Sequence, residues 1–180
     1  KDEDHSLHVA LSNDGHSFTD INKGKPVIFG DTIAEQKGIR DPYIFRAPND
    51  TFYMAMTDLH VFGQKAGVRK TQWERDGNLY GWGNNRSIVL MKSADLIHWS
   101  HTVLRVDKAF PGLDSIGCAW APELFWDNDR HQIMMYYTMR YGNGQNRIYY
   151  TYMNKDFTRM GTFPKLLFDS SEGKSTIDGD

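Results

Sequence analysis

Two aspartates occur at similar addresses in the chain. One lies in Gly38-Ile39-Arg40-Asp41-Pro42-Tyr43-Ile44-Phe45, the other in Thr176-Ile177-Asp178-Gly179. The same frame returns between them as Ala119-Trp120-Ala121-Pro122-Glu123-Leu124-Phe125, with an alanine in place of the carboxylate. Two carboxylates brought to one place can cleave a glycosidic bond. One protonates the leaving oxygen while the other activates water or attacks. A third carboxylate nearby would move the acid's pKa through like charge. A single Asp-Pro is usually no more than a turn opener with a capping side chain. Recurrence of the frame moves the balance toward function for Asp41 and Asp178.

Other side chains could assist. Glu123 stands two residues past Ala121, on the same face of a regular strand. It is either a second carboxylate or a group bonding backbone. By the same alternation Arg40 and Asp41 should point to opposite faces, without a side-chain bond. Trp73, Trp82, Trp120 and Trp126 offer stacking faces for sugar rings. Trp82, between Gly81 and Gly83, has the strongest claim to a ligand, and Trp120, beside an opening, the next. Trp99 and the run Met134-Met135-Tyr136-Tyr137 read as core. His60, Asn84, Asn85 and Arg86 could bind hydroxyls or simply solvate a loop.

Several chemistries are excluded or unsupported. Gly142-Asn143-Gly144 lacks the Lys-Ser/Thr of a phosphate loop. No nucleophile elbow and no His-Glu-x-x-His is present. The histidines are scattered, so no protein metal cage is expected. Cys118 is the only cysteine, which rules out an intrachain disulfide and a cysteine-type zinc site. A net charge of −2 provides no basic field for nucleic acid or an anionic membrane. No apolar run approaches the roughly 20 residues of a membrane span. The first residues have no apolar signal core; either the protein is cytoplasmic or a signal precedes this numbering.

The elements that must position these groups are strands. In 180 residues, 13% aromatic content with 16 glycines and six prolines favours β structure. Strands are expected over 6–12, from Asp41 to Arg46, Thr51 to Thr57, Ser87 to Lys92, Thr102 to Val106, Gln132 to Thr138 and Arg147 to Met153, as well as at Trp120. Residues 58–86 form a long polar insertion, of the kind that is functional or disordered. No helix longer than one turn, at Ile33-Ala34-Glu35-Gln36, is expected.

The strands repeat. Ser12-Asn13-Asp14, Ser93-Ala94-Asp95 and Asn154-Lys155-Asp156 lie 81 and 61 residues apart. The openings at Asp41, Ala121 and Asp178 lie 80 and 57 residues apart. The two series agree, and four short strands per unit of about 60 residues describe a β-propeller blade. The expected fold class is therefore all-β, a β-propeller with about two complete blades here. A partial blade covers 1–37, blades cover 38–117 and 118–174, and 175–180 begin another. Two blades cannot close a ring, which takes at least about four. The chain is thus expected to be part of a longer polypeptide, ending inside a strand. Its open sheet edges would be paired by the remaining blades, whether in the same chain or a second one.

Arg40-Asp41-Pro42, Trp120-Ala121-Pro122-Glu123, Ile177-Asp178-Gly179 and Ser93-x-Asp95-Leu96-x-x-Trp99, in this order, resemble glycoside hydrolase family 43. The resemblance covers nearly the whole chain. It implies a five-bladed propeller and inverting arabinofuranosidase, xylosidase or arabinanase activity on plant polysaccharides or oligosaccharides. It also implies Asp41 as the general base and Asp178 as the residue that tunes the acid and orients substrate. The family's acid is a glutamate of the next blade, beyond Asp180, and no residue here matches it. The role is not transferred to Glu123, and the 180 residues alone are expected to be inactive. No cofactor is required, although some members hold a cation in the central channel. A secreted or periplasmic location is favoured on the same ground. One departure is Gly179, where proline is usual. Three alternatives stay open: a fructosidase-like retaining enzyme, which shares Arg-Asp-Pro; a non-catalytic carbohydrate-binding propeller; and a β module whose aspartates only cap turns.

Overall fold

A computed structural model describes residues 4–179. Among them the chain runs β1 (Ala10–Leu11), β2 (Thr19–Asp20), α1 (Gly30–Ile33), β3 (Ile39–Arg46), β4 (Phe52–Asp58), α2 (Gly77–Tyr80), β5 (Ser87–Ser93), β6 (Ser100–Arg105), α3 (Val106–Ala109), β7 (Ile116–Asp127), β8 (Gln132–Tyr141), β9 (Arg147–Tyr152) and β10 (Lys165–Phe168). The three α elements are single turns of four residues. One of them, α1, starts three residues before the turn expected at Ile33.

Two antiparallel meanders form four-stranded sheets in the orders β3-β4-β5-β6 and β7-β8-β9-β10. These are blades of a β-propeller. Each is entered through its first strand, and β7 packs against β3 and β4 of the blade before it. The strands β1 and β2 form a separate ladder, pairing Ala10 with Asp20.

The first blade is buried on both faces, and its sequence shows why. Tyr53, Ala55, Ile88 and Leu90 face the second blade, where they meet Ala119, Leu124, Met135, Tyr137 and Met139. The residues between them, Met54, Met56, Val89 and Met91, face the opposite way and meet Leu7, Ile33 and Ala34 of the N-terminal segment together with Ile39 of β3. Side chains alternate along a strand, so a sheet covered on both sides reads as a continuous apolar run. Of β4, residues 53–56 are that run.

The turn repeat is reproduced atom for atom in its first two copies. Ser12 Oγ donates to Asp14 Oδ1 at 3.0 Å, and Asp14 Oδ1 accepts from the N–H groups of His16 and Ser17, each at 2.8 Å. Eighty-one residues later Ser93 Oγ donates to Asp95 Oδ1 at 3.0 Å, which accepts from Ile97 at 2.9 Å and His98 at 2.8 Å. The first copy joins β1 to β2 and the second joins β5 to β6. The ladder β1–β2 therefore corresponds to the outer half of a blade.

Three expectations about elements are corrected. Only Ala10–Leu11 of the run 6–12 is paired as a strand, because Leu7 instead bridges to Ile28 and the His5 carbonyl accepts from Ile39 N–H. The strand β10 carries no alternation in Lys165-Leu166-Leu167-Phe168 and was not expected; all four residues are exposed at the edge of the sheet. Residues 174–179 are not in a strand, since no neighbour for one exists among the described residues. Asp180 lies outside those residues.

Candidate functional site

Both blade openings break their strands at the same place. The register of β3 against β4 slips between Arg40 and Tyr43, and that of β7 against β8 slips between Trp120 and Glu123. Asp41 sits in the first slip with φ +50° and Ala121 in the second with φ +42°; Asp178, at the third opening, has φ +53°. Positive φ in residues other than glycine costs free energy and clusters at functional sites. Three equivalent positions share it here.

The slip decides what the openings can do. A β-bulge re-aims the side chains next to it. Arg40 and Asp41, expected to diverge, lie with Nε 4.0 Å from Oδ1. The other carboxylate oxygen of Asp41, Oδ2, accepts from Thr57 Oγ1 at 2.7 Å. Past the second slip, Glu123 sits opposite Tyr136 across the ladder and accepts from its hydroxyl at 2.5 Å.

The carboxyl of Asp178 is raised above the usual aspartate range. Burial is the largest cause, the charge of Asp41 adds to it, and Arg40 acts against it. The two aspartates thus feel one another across the openings, with Arg40 between them electrostatically. Asp41, Arg40 and Pro42 line a cavity of about 400 Å³ together with His5, Ser6, Leu7 and His8 of the N-terminal segment.

Three tryptophans, Trp73, Trp82 and Trp120, cluster next to the second opening. Trp120 directly precedes Ala121, and its indole N–H donates to the Gly83 carbonyl at 2.9 Å. Trp82 is 60% exposed and its ring meets Trp120 edge-on at 5.7 Å and Trp73 at 5.2 Å. Gly81 and Gly83 flank it with φ +80° and +62°. A Cβ at Gly81 would stand 2.5 Å from Asn143 Oδ1, so only glycine lets this loop pass.

Arg140, 4% exposed on β8, fixes this arrangement. Its Nη2 donates to the carbonyls of Trp82 at 2.6 Å and Tyr80 at 2.8 Å. The same guanidinium lies 4.7 Å over the Trp120 ring, within cation–π reach. One buried cation thus ties the insertion of the first blade to the aromatic residue of the second.

At its two ends the insertion turns polar groups inward, while Gln64, Lys65, Lys70, Thr71, Gln72, Asp76 and Asn78 between them are exposed. Asn84 and Asn85 are fully buried. Asn85 Nδ2 donates to Ala119 O at 2.8 Å while its Oδ1 accepts from Ala119 N–H at 2.7 Å, a cross-blade clamp. Arg86 pairs with Glu74. His60 is 4% exposed, stacked on His5 at 4.3 Å, and its pKa is lowered by burial and by Arg69. The ends of the insertion are thus a packed bracket between blades, and its middle is a solvated loop. Of the six sequence candidates, Asp41, Asp178, Trp82 and Trp120 gather around the openings. Glu123 reaches the third opening through Tyr136, whose ring lies beside Gly179, and His60 lies in the N-terminal interface.

Sequence reasoning missed Thr57 and Arg140. Thr57 and Thr138 are separated by 81 residues, the spacing of the turn repeat, so alignment of the units could have found the first. A lone arginine ending an apolar strand was the signal for the second. Among the described residues no group of three or more His, Cys, Asp or Glu is placed to hold a metal.

Comparison with known proteins agrees with this geometry. A family model described as "Probable glycosyl hydrolase domain", of the family 43-related type, matches residues 1–180. An α-L-arabinofuranosidase of Bifidobacterium longum subsp. longum is 26% identical over 135 residues, which are 71% of this chain and 11% of that protein. An engineered family 43 enzyme described as having endo-xylanase and exo-arabinofuranosidase activity superposes with a TM-score of 0.55 at 12% identity, over 95% of this chain and 28% of that one. An exo-1,5-α-L-arabinanase from a bovine ruminal metagenomic library gives 0.52 at 16% identity, over 88% and 47%. The chain thus spans about a tenth of its curated relative and less than half of either structure. By its fold and by the match along its whole length, the chain belongs to the family 43-related glycosyl hydrolases.

Proposed function

We infer that this chain contributes the water-activating side of an inverting glycosidase. Its substrates would be arabinofuranosyl or xylosyl linkages in plant polysaccharides or oligosaccharides. The observation that carries the reading is the pair of repeat openings. Asp41 and Asp178 occupy equivalent backbone positions, and the charge of one acts on the carboxyl of the other. The named activities of the relatives support the sugar class.

In this reading Asp41 takes a proton from water as the oxygen attacks the anomeric carbon. Thr57 holds Oδ2 while Arg40 Nε stands 4.0 Å from Oδ1, and the remaining lone pairs of the carboxylate are free to take the proton. Asp178, whose raised pKa reflects burial and Asp41, tunes the acid and orients the sugar. Trp82 and Trp120 supply stacking faces. The glutamate acid lies in a blade outside residues 1–180, roughly 6.5–9.5 Å from the base as inversion requires. Water and carboxylates suffice for this chemistry, so no cofactor is invoked, and a channel cation has no ligands assigned here. The blade units 38–117 and 118–174 are part of the same proposal.

The deciding experiment uses the intact enzyme and an aryl α-L-arabinofuranoside or β-D-xyloside. Proton NMR of the first-formed sugar should show the inverted anomer, and Asp41→Asn should abolish turnover. A retained anomer would place Asp41 in the transition-state-stabilising role of the fructosidase clan. Undiminished turnover by Asp41→Asn would remove it from catalysis. Residues 1–180 alone should not hydrolyse these substrates.

A further inference from the structure

Thr57 is the last but one residue of β4 and is 1% exposed. Its hydroxyl accepts from the Ala121 N–H of the next blade at 2.8 Å. The same hydroxyl lies 2.7 Å from Asp41 Oδ2 of its own blade. A hydroxyl has one proton to give, and an N–H cannot accept it. The proton of Thr57 is therefore committed to Asp41, and burial keeps competing water away. A β-branched side chain is also stiff about χ1, so the oxygen has little freedom to turn elsewhere.

The arrangement is half of a repeated device. Thr138 on β8 is fully buried, and its hydroxyl accepts from Asp178 N–H at 3.1 Å. In both blades a threonine of the second strand thus receives the N–H of the following opening. Only in the first blade does it also find a carboxylate at its own opening, because the second carries Ala121 there.

We propose that Thr57 is a positioning residue for Asp41, one that couples the aim of this carboxylate to the seating of the second blade on the first. The proposal rests on the reading of Asp41 as the base. Thr57 transfers no proton. It holds Oδ2, thereby fixes the rotation at which the carboxylate is presented to water, and takes its own orientation from Ala121 N–H. Because Asp178 hangs from Thr138 by the same kind of bond, the two threonines together set how the two carboxylates face one another.

The test compares Thr57→Val, which keeps the shape and loses the hydroxyl, with Thr57→Ser, which keeps the hydroxyl, in the intact enzyme on an aryl glycoside. Loss of aim without loss of binding should lower kcat of the valine variant roughly ten- to hundredfold while KM stays within about threefold. Serine should recover most of that loss. A valine variant within about twofold of the parent, or serine and valine variants equally impaired, would overturn the proposal. If the valine variant does not fold, Thr57→Cys decides, since a thiol is only a weak donor. It should fall well below serine in kcat at an unchanged thermal midpoint, and equality with serine overturns the assignment. Asp41→Asn run in parallel separates the two levels. If it retains turnover, the base assignment falls and the role of Thr57 with it. If it is inactive while Thr57→Val is unimpaired, only the role of Thr57 falls.

Discussion

The two complete blades carry the same framework and different chemistry. Each opens on a positive-φ residue in a register slip, and each presents a buried threonine from its second strand. In the first blade the opening is Asp41, and Thr57 is followed by Asp58; in the second the opening is Ala121, and Thr138 is followed by Met139. The backbone device is thus separable from the function it serves. A repeat supplies equivalent positions, and the side chain at each position decides whether that position catalyses, packs or merely turns the chain.

The contrast is broken most severely by removing the carboxylates that distinguish the openings. In the intact enzyme, Asp41→Asn should lower kcat by roughly 10³-fold or more, since a general base contributes on that scale. Asp178→Asn, acting through the acid and the substrate, should cost roughly 10²-fold. Steady-state kinetics on an aryl glycoside measure both, and equal effects at the two positions would erase the difference in roles.

The second contrast, Asp58 against Met139, appears in stability. Burial raises the Asp58 carboxyl from 3.8 to about 7, against the lowering effect of the N–H groups of Gln36 and Glu35 that bond it. Folded, Asp58 keeps its proton until about pH 7, while in the unfolded chain it ionises near 3.8. Between these values the unfolded state binds fewer protons than the native one. Stability should therefore fall as pH rises from about 4 to about 7, then level off, by a few kcal/mol from this group. Urea unfolding across that range measures it. Asp58→Asn, which resembles Met139 in being uncharged, should flatten the profile.

Smaller effects sharpen the comparison. Trp82→Ala removes the exposed ring that the first blade places beside Trp120. It should raise KM about fivefold, near 1 kcal/mol of lost stacking, with less change in kcat. Ala121→Gly tests where backbone strain resides. Aspartate tolerates positive φ better than alanine does, so of the three openings the strain is greatest at Ala121. Glycine there should raise stability by about 0.5–1 kcal/mol after its greater unfolded-state entropy is counted, read as a higher thermal midpoint.

Much of the architecture was legible in the linear chain because its signals are local. The Ser-x-Asp turns bond within five residues, and their spacing gave the unit before any sheet was seen. The continuous apolar run 53–56 follows from a blade covered on both faces. The misreadings share a cause of the opposite kind. Strand alternation placed Arg40 away from Asp41, and that inference failed at a register slip. A slip depends on the partner strand, which has no local signature in these residues. His60 and Asn85 looked like polar loop residues, yet His60 stacks on His5 and Asn85 bonds Asp58 and Ala119, neighbours distant in sequence.

By itself the sequence determined the repeat, the β class, the positions of the openings and the identity of the carboxylates they carry. These depend on residue type and spacing alone. The tertiary structure decided which oxygen of Asp41 is held, that Ala121 N–H orders the hydroxyl holding it, and that Arg140 binds the Trp82 loop to Trp120. Those bonds join residues 16 to 64 positions apart. They exist because groups buried between two blades must find their partners within the protein, and only packing determines which partners those are.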